Sequence, residues 1–252
     1  MERLKAGTGP FGLTLTNRQL AMFQILYQDL VEWNQRFNLT AITDYEQVQL
    51  RHFLDSLSCL LPFAKQPVDR RPDSLRCIDV GSGAGFPGLP IKICCPKMHM
   101  VLLEATGKKV QFLAHIIARL GLKDVAPLKG RAEEVAHDPI HRERYDRVVA
   151  RAVAELRVLA EYTLPFCQLG GLVIAQKGAS AQEETHAAEY AISLLGGRVR
   201  QVMPVELLGM AETRYLVVVE KVARTPAQYP RRAGIPTKRP LKSQRSVHSL
   251  ER

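Results

Sequence analysis

Residues 78–88, which read IDVGSGAGFPG, decide the fold of this chain. An apolar run typical of a buried strand leads directly into a glycine-rich turn, and a helical pattern begins near Leu89. Glycines are needed at such a turn when a ligand approaches the backbone closely, because a Cβ atom would collide with the ligand. The segment therefore predicts a strand–loop–helix unit with a ligand site at the loop, and a tight turn without a ligand is the alternative.

The residues around the loop favour one class of ligand. Residues 83–88 fit the pattern GxGxxG, which also describes nicotinamide dinucleotide sites. Asp79 stands just before the first glycine, where its carboxylate is expected to reach the amino group of a methionine moiety, which favours S-adenosylmethionine as the cofactor. Glu104 closes the next strand, and a carboxylate at this spacing accepts hydrogen bonds from ribose hydroxyls.

Beyond residue 75, strand patterns alternate with helix patterns. The strand-like runs are residues 77–80, 100–103, 125–128, 147–150 and 172–176, and the clearest helix pattern covers residues 108–120. Two further runs, 199–207 and 215–222, are joined by a short loop without a helix, which predicts an antiparallel pair. We expect an α/β fold: a doubly wound, mostly parallel seven-stranded sheet of the S-adenosylmethionine-dependent methyltransferase type, with an antiparallel last strand.

The two ends of the chain predict appendages to this domain. Thr16 and Gln19 form a capping-box pattern before a helix that runs to Phe37, and a second helix begins near Asp44. We therefore divide the chain into an N-terminal helical extension (1–64), a cofactor-binding domain (75–222) and a basic, proline-containing tail (223–252). The Pro- and Arg-rich residues 65–76 are predicted to be the linker after the extension. The tail is expected to be extended or disordered when unbound.

Composition narrows the class of protein and its partners. The net charge is +10, and residues 223–252 hold eight Lys or Arg residues against one acid. Such a tail is expected to contact nucleic-acid phosphates without regard to sequence, and a passive linker is the alternative. The five cysteines form no CxxC pair, which predicts neither a disulfide framework nor a metal site. No apolar run is long enough to span a bilayer, so we expect a cytoplasmic enzyme that uses no membrane.

Basic residues stand at the ends of two predicted strands. Arg151 ends the fourth strand and Lys177 the fifth, and ligands of doubly wound folds bind outside the carboxyl ends of the strands. Both side chains are therefore expected to point at the site. The run 131–134 follows the third strand, where backbone and side chain would lie over an adenine, although Glu133 and Glu134 could equally form an exposed acidic turn.

Taken together, these motifs resemble the ribosomal RNA small subunit methyltransferase G family, also called glucose-inhibited division protein B. The resemblance covers about residues 20–241. It is carried by Asn38-Leu39-Thr40, Arg51-His52 with Leu54-Asp55-Ser56, the loop 79–88, Gly107-Lys108-Lys109, Arg131-Ala132-Glu133-Glu134, Ala150-Arg151-Ala152, Lys177-Gly178, Arg214 and the tail motif Tyr229-Pro230-Arg231-Arg232-Ala233-Gly234. Glu104 departs from the pattern, since many members have Asp there, and residues 243–252 match no family pattern.

The resemblance implies methyl transfer from S-adenosylmethionine to N7 of one guanine in 16S ribosomal RNA, presented as naked RNA or as a 30S assembly particle, by a monomeric enzyme. Its cofactor contacts would fall on Gly81, Phe86, Glu104, Ala132, Glu133 and Arg151, to which the loop adds Asp79, Gly83 and Gly85. Its substrate-positioning residues would be Asn38, His52, Arg131, Lys177 and Arg214. No general base is expected, because guanine N7 carries a free lone pair.

Several alternatives stay open at this point. His52 could stack on or hydrogen-bond to a flipped base, or it could only tie the N-terminal helices to the sheet. A nicotinamide-dependent oxidoreductase would explain the glycines and Glu104 but neither Asp79 nor the terminal strand pair. An RNA-binding module with a vestigial pocket, and a methyltransferase acting on a protein or a small molecule, are the other competing functions.

Overall fold

The computed structural model describes residues 1–63, 75–151 and 154–243. Its centre is a sheet of seven strands: β1 (Arg76–Val80), β2 (His99–Glu104), β3 (Val125–Lys129), β4 (Tyr145–Arg151), β5 (Cys167–Lys177), β6 (Gly197–Val205) and β7 (Arg214–Lys221). Their order across the sheet is β3-β2-β1-β4-β5-β7-β6. The first five strands are parallel, and β7 lies antiparallel to both β5 and β6. The predicted α/β fold with an antiparallel last strand is confirmed.

Ten helices surround this sheet in the part of the chain that the structure describes. They are α1 (Glu2–Gly7), α2 (Asn17–Phe37), α3 (Tyr45–Val48), α4 (Asp55–Ser58), α5 (Gly88–Cys94), α6 (Gly107–Arg119), α7 (Ala132–Val135), α8 (Leu156–Thr163), α9 (Ala181–Leu194) and α10 (Ile235–Lys238). A π-helical turn, Gln49–Leu54, joins α3 to α4. The second predicted helix is therefore interrupted where a continuous α-helix was expected.

Side chains of β1 show how the two faces of the sheet are covered. Cys77 packs in one apolar cluster together with α2, α5 and α6, whereas Ile78 and Val80 pack in a second cluster with α8 and α9. This alternation follows from the two-residue period of a strand buried on both faces. The order of the strands reverses between β1 and β4, and the carboxyl ends of these two strands flank the crevice where doubly wound folds bind ligands.

The tail differs from its predicted state up to residue 243. The sequence composition predicts an extended or disordered segment, but residues 225–238 are folded against the domain and contain α10. The Arg142 guanidinium donates hydrogen bonds to the carbonyl oxygens of Thr225, Pro226 and Tyr229, which gives this proline-rich stretch the partners that composition alone does not reveal. Residues 64–74, which include most of the predicted linker, and residues 244–252 lie outside the described residues, as does Ala152. The division into three units stays a prediction.

The amino-terminal helices are attached to the sheet at the start of α2. The Thr16 hydroxyl accepts a hydrogen bond from the Gln19 backbone nitrogen at 3.2 Å, and the Gln19 amide oxygen accepts from the Thr16 backbone nitrogen at 2.9 Å. This is the capping box expected from the sequence. The Gln19 Nε2 also donates to the Ile93 carbonyl oxygen at 3.1 Å, which joins the start of α2 to α5.

We predict that Thr16→Ala lowers the free energy of unfolding by about 1 kcal/mol, because the Gln19 backbone nitrogen loses its acceptor. Thr16→Ser keeps that acceptor and should change the free energy of unfolding by less than about half as much. Urea unfolding followed by circular dichroism measures both variants. Equal losses in the two variants would show that the methyl group, rather than the cap, is what stabilises this end of α2.

Candidate functional site

Two cavities open side by side at the carboxyl ends of the parallel strands, and Arg151 lines both. The first, which we call the loop cavity, has a volume of about 340 Å³ and is lined by the ends of β1 and β2, by residues 130–133 and by Tyr162. The second, which we call the arginine cavity, has a volume of about 410 Å³ and lies between the π-helical turn and the ends of β5 and β7. The two cavities are thus placed to hold two ligands next to each other.

The glycine loop forms one wall of the loop cavity through Gly81 and Gly83. Both have positive φ angles, 75° and 60°, which L side chains rarely adopt. A Cβ atom on Gly83 would come no closer to its neighbours than 3.9 Å from the Gly81 oxygen, so packing does not require glycine there. The requirement comes from the backbone conformation, which leaves this side of the loop open to the cavity.

Gly85 and Gly88 have a different role. A Cβ atom on Gly85 would overlap the side chains of Leu89 and Leu113, and one on Gly88 would overlap Leu102. Both glycines therefore let α5 pack closely against the loop and the sheet. The prediction that Gly85 contacts the ligand is not supported by this placement.

Asp79 lies beneath the loop. Its side chain is fully buried, and Oδ2 accepts hydrogen bonds from the Ser82 hydroxyl at 2.6 Å and from the Gly88 backbone nitrogen at 2.9 Å. Burial raises the pKa of this carboxyl to about 6, although both hydrogen bonds oppose the shift. Asp79 therefore holds the two ends of the loop together through Oδ2, while its buried Oδ1 makes no hydrogen bond with the described residues. The expected contact with the ligand's amino group stays a prediction.

Glu104 faces the loop cavity from the end of β2. Its Oε2 accepts from the Gly83 backbone nitrogen at 2.9 Å, and its Oε1 accepts from the Thr106 backbone nitrogen at 2.7 Å. These two bonds fix the orientation of a carboxylate that is only 7% exposed. A carboxylate oxygen has more than one acceptor site, so both oxygens can still accept from a ligand's hydroxyl groups.

The run after β3 completes the loop cavity. Arg131, Ala132 and Glu133 all line it, and Glu133 is buried with its Oε1 accepting from the Gly234 backbone nitrogen at 3.0 Å. The alternative of an exposed acidic turn is therefore wrong for Glu133, while Glu134 is exposed. Arg131, the N-cap of α7, lines the loop cavity and not the arginine cavity, and its role in positioning the substrate stays a prediction.

Arg151 is held between the two cavities by a buried carboxylate. Its Nη1 donates to Asp55 Oδ2 at 3.2 Å and to the Arg51 carbonyl oxygen at 3.0 Å, and its guanidinium lies 5.2 Å from the centre of the Phe86 ring. Arg214 approaches the other oxygen of Asp55, with Nε 3.8 Å from Oδ1. Asp55 is 4% exposed and therefore balances part of the charge of two arginines inside the site.

His52 lies at the wall of the arginine cavity. Its ring stacks on Phe86 with centroids 4.6 Å apart, and its Nε2 is 2.8 Å from the Thr40 hydroxyl. Burial and the nearby charge of Arg151 lower the pKa of His52 to about 4, so the imidazole is neutral near pH 7. The stacking ties the N-terminal helices to the sheet, while the same ring faces the cavity, so the two alternatives for His52 are compatible.

Lys177 lines the arginine cavity from the end of β5, as expected, and Arg214 lines it from the first residue of β7. Lys177 Nζ lies 2.7 Å from Glu184 Oε2 and donates to the Ala154 carbonyl oxygen at 2.5 Å. Burial raises the pKa of Glu184, but hydrogen bonds from Lys177 and Ser180 outweigh it and hold this pKa below its usual value. Lys177 therefore lines the cavity as expected, with its charge already paired with Glu184.

Four predicted site residues line neither cavity in the described ranges. They are Asn38, Asp79, Gly85 and Phe86. Asn38 is the exposed, left-handed C-cap of α2, and Phe86 lies beneath His52 and Arg151. The cavity walls also contain polar residues that were not predicted as site residues, namely Arg51, Asp55, Lys109, Tyr162, Gln176 and Glu184. Asp55 had a signal, since it shares a helical face with Arg51 and His52.

Two further observations on the described residues concern membrane-spanning helices and groups of metal-binding side chains. Among the helices that the structure describes, none is both long and apolar enough to cross a membrane. In the same residues, no group of three or more His, Cys, Asp or Glu side chains could hold a metal ion.

Comparison with known proteins adds the family. Residues 19–208 match the family model described as rRNA small subunit methyltransferase G. A ribosomal RNA small subunit methyltransferase G from Dehalococcoides mccartyi is 49% identical over 96% of this chain and 100% of its own length. One from Roseiflexus castenholzii is 51% identical over 95% of this chain and 99% of its own, and one from Pelotomaculum thermopropionicum is 46% identical over 95% and 98%.

A solved structure supports the fold alone. It is PH0793 from Pyrococcus horikoshii, assigned as a transferase, which superposes with a TM-score of 0.51 at 15% identity over 66% of this chain and 64% of its own. The sequence match over most of the chain is the stronger finding, and from it we conclude that this chain belongs to the rRNA small subunit methyltransferase G family.

Proposed function

We propose that this chain transfers the methyl group of S-adenosylmethionine to N7 of one guanine in 16S ribosomal RNA. The observation that carries the proposal is the pair of adjoining cavities that share Arg151, one beside a glycine loop and one lined by basic strand ends. The loop cavity would hold the methyl donor and the arginine cavity the guanine. The names of the relatives supply the class of RNA, and the family resemblance described above supplies the guanine and its N7 atom.

The loop cavity fits an adenosyl cofactor in size and in chemistry. Its volume lies near the lower end of the range of about 300–1,000 Å³ that is usual for small-ligand sites. Gly81 and Gly83 leave the backbone open to the ligand, and Glu104 presents oriented acceptors for ribose hydroxyls. When bound, S-adenosylmethionine supplies a methyl group on a positively charged sulfur, which is electrophilic without further activation.

The arginine cavity suits a base that reacts without losing a proton. Guanine N7 has a free lone pair, so positioning in line with the methyl group can supply most of the rate. His52 is neutral near pH 7 and can offer the guanine a ring surface or a hydrogen bond without adding charge. Its stacking on Phe86 and its contact with Thr40 hold that ring in one orientation.

Charge balance in the arginine cavity supports the same chemistry. The purine gains positive charge as the methyl group arrives, which an uncompensated cluster of cations would oppose. Asp55 lies beside Arg151 and Arg214, and Glu184 is paired with Lys177. The arginines can therefore orient the guanine O6 edge or a phosphate while nearby carboxylates reduce the repulsion.

The remaining parts of the proposal concern the state of the protein and of its substrate. We infer that it acts as a monomer in the cytoplasm, on 16S ribosomal RNA or on a 30S assembly particle, without any membrane partner. Mapping of the modified nucleotide in ribosomal RNA from cells with and without this gene tests the target base directly. Loss of the N7-methylguanine signal is expected in the cells that lack the gene, and an unchanged signal would refute the proposed target.

We predict that Glu104→Gln raises the Kd for S-adenosylhomocysteine by about tenfold or more, because hydrogen bonds to a charged acceptor contribute about 1.5–3 kcal/mol. Isothermal titration calorimetry measures the affinity. The matched control is Glu134→Gln, which removes a carboxylate from the exposed side of α7 and should leave the Kd unchanged. If the wild-type protein gives no heat of binding at millimolar ligand, the assignment of the loop cavity is wrong.

We also predict that the single-turnover rate has the same pH profile in wild-type protein and in His52→Ala between about pH 5.5 and 8.5. The reason is that a histidine with a pKa of about 4 is already deprotonated throughout this range. A rising limb near pH 6.5 that is present only in the wild type would mean that His52 acts as a base. A limb near pH 6 that both proteins share would instead reflect Asp79, whose pKa is about 6.

A further inference from the structure

The tail segment 225–238, which we call the strap, is fixed to the domain by contacts that use its backbone as well as its charges. Arg142 donates to three of its carbonyl oxygens at 2.9–3.2 Å, and its next-door neighbour in sequence, Glu143, accepts from the Thr225 backbone nitrogen at 2.8 Å. His137 Nε2 lies 2.7 Å from the Pro230 oxygen. A segment whose backbone carbonyl and amide groups are hydrogen-bonded to the domain in this way is an integral part of the folded domain.

One ion pair anchors the middle of the strap. Glu161 in α8 is fully buried, and its two oxygens accept four hydrogen bonds from Arg231: one from the backbone nitrogen at 2.7 Å and three from the guanidinium at 2.7–3.2 Å. A forked contact of this kind fixes both distance and orientation. The charge of Arg231 is therefore paired with a carboxylate of α8, the helix that also contains Tyr162.

Beyond this anchor, the strap reaches the wall of the loop cavity at two points. The Gly234 backbone nitrogen donates to Glu133 Oε1 at 3.0 Å, and the Thr237 and Tyr162 hydroxyl oxygens lie 2.9 Å apart. Glu133 and Tyr162 both line the loop cavity. Burial raises the pKa of the Tyr162 phenol, so the hydroxyl keeps its proton and remains a hydrogen-bond donor near pH 7.

We propose that the strap is a structural part of the cofactor site, with Arg231 as a positioning residue that sets Glu133 and Tyr162 for binding of the nucleoside end of the cofactor. The proposal rests on the proposed function, in which S-adenosylmethionine occupies the loop cavity. The basic tail motif would thereby contribute to cofactor binding. The charge of the motif, taken alone, suggests only contacts with RNA.

The strap offers a matched pair of variants for the test. Arg232 is next to Arg231 and carries the same charge, but its side chain is exposed and makes no hydrogen bond or ion pair with any residue that the structure describes. Arg231→Ala and Arg232→Ala therefore remove equal charge from adjacent positions. A role confined to RNA phosphates would make the two variants alike, whereas a role in the cofactor site separates them.

Isothermal titration calorimetry of the full-length protein with S-adenosylhomocysteine is the primary measurement. We expect Arg231→Ala to raise the Kd at least fivefold and Arg232→Ala to leave it within twofold of wild type. In methyl transfer to 16S ribosomal RNA, Arg231→Ala should raise KM for S-adenosylmethionine while kcat and KM for RNA stay within twofold of wild type. A reduced affinity for RNA with an unchanged Kd for S-adenosylhomocysteine would overturn the proposal.

Two further variants keep the test decisive, because Arg231→Ala leaves Glu161 buried without its partner and can fail to fold. Arg231→Lys keeps the charge but loses the fork, and Thr237→Val removes only the hydroxyl that contacts Tyr162; thermal unfolding without ligand confirms that each is folded. Each is expected to raise the Kd for S-adenosylhomocysteine two- to fivefold. Wild-type affinity in both variants would refute the proposal, whereas absence of binding by the wild type would refute the proposed function itself.

Discussion

The contact between Asp55 and Arg151 joins the amino-terminal helices to the sheet, and both cavities depend on it. Arg151 ends β4 at the point where the strand order reverses, and Asp55 comes from the helices that precede the sheet in sequence. A guanidinium buried there without a carboxylate would be costly, and so would Asp55 without a cation. The pair therefore fixes how α4 docks on the carboxyl edge of the sheet, and with it the positions of His52 and Phe86.

Much of the fold could be predicted from the sequence because its signals are local. The glycine loop, the capping box at Thr16 and the alternation of strands and helices each follow from short-range sterics or periodicity. The alternating pattern predicted the position of each of the seven strands to within about five residues. The site was harder to predict. Motif positions identified residues near the carboxyl edge, but they could not distinguish Gly83, which opens on the cavity, from Gly85, which makes room for Leu89 and Leu113.

The differences between prediction and structure share one physical origin, which is side-chain pairing that residue type and local pattern do not show. Lys177 was expected to point at the site, and the sequence did not show that Glu184 in α9 pairs with it there. The tail was expected to be extended or disordered because it contains few apolar residues. Composition does not show that Arg142 donates hydrogen bonds to the carbonyl oxygens of this segment. Asp79 was expected to face the ligand, and the sequence could not show that Ser82 and Gly88 share its Oδ2 while its buried Oδ1 makes no hydrogen bond with the described residues.

The π-helical turn Gln49–Leu54 has a consequence for how this family member can vary. A π turn closes its hydrogen bonds over five residues instead of four, so it holds one residue more than the α-helical turn it replaces. Loss of a single residue there would let the helix rewind as a regular one, but Asp55 and all that follows it would then rotate relative to α3. The length of this stretch therefore sets where Asp55 meets Arg151, although the stretch lies far in sequence from the glycine loop.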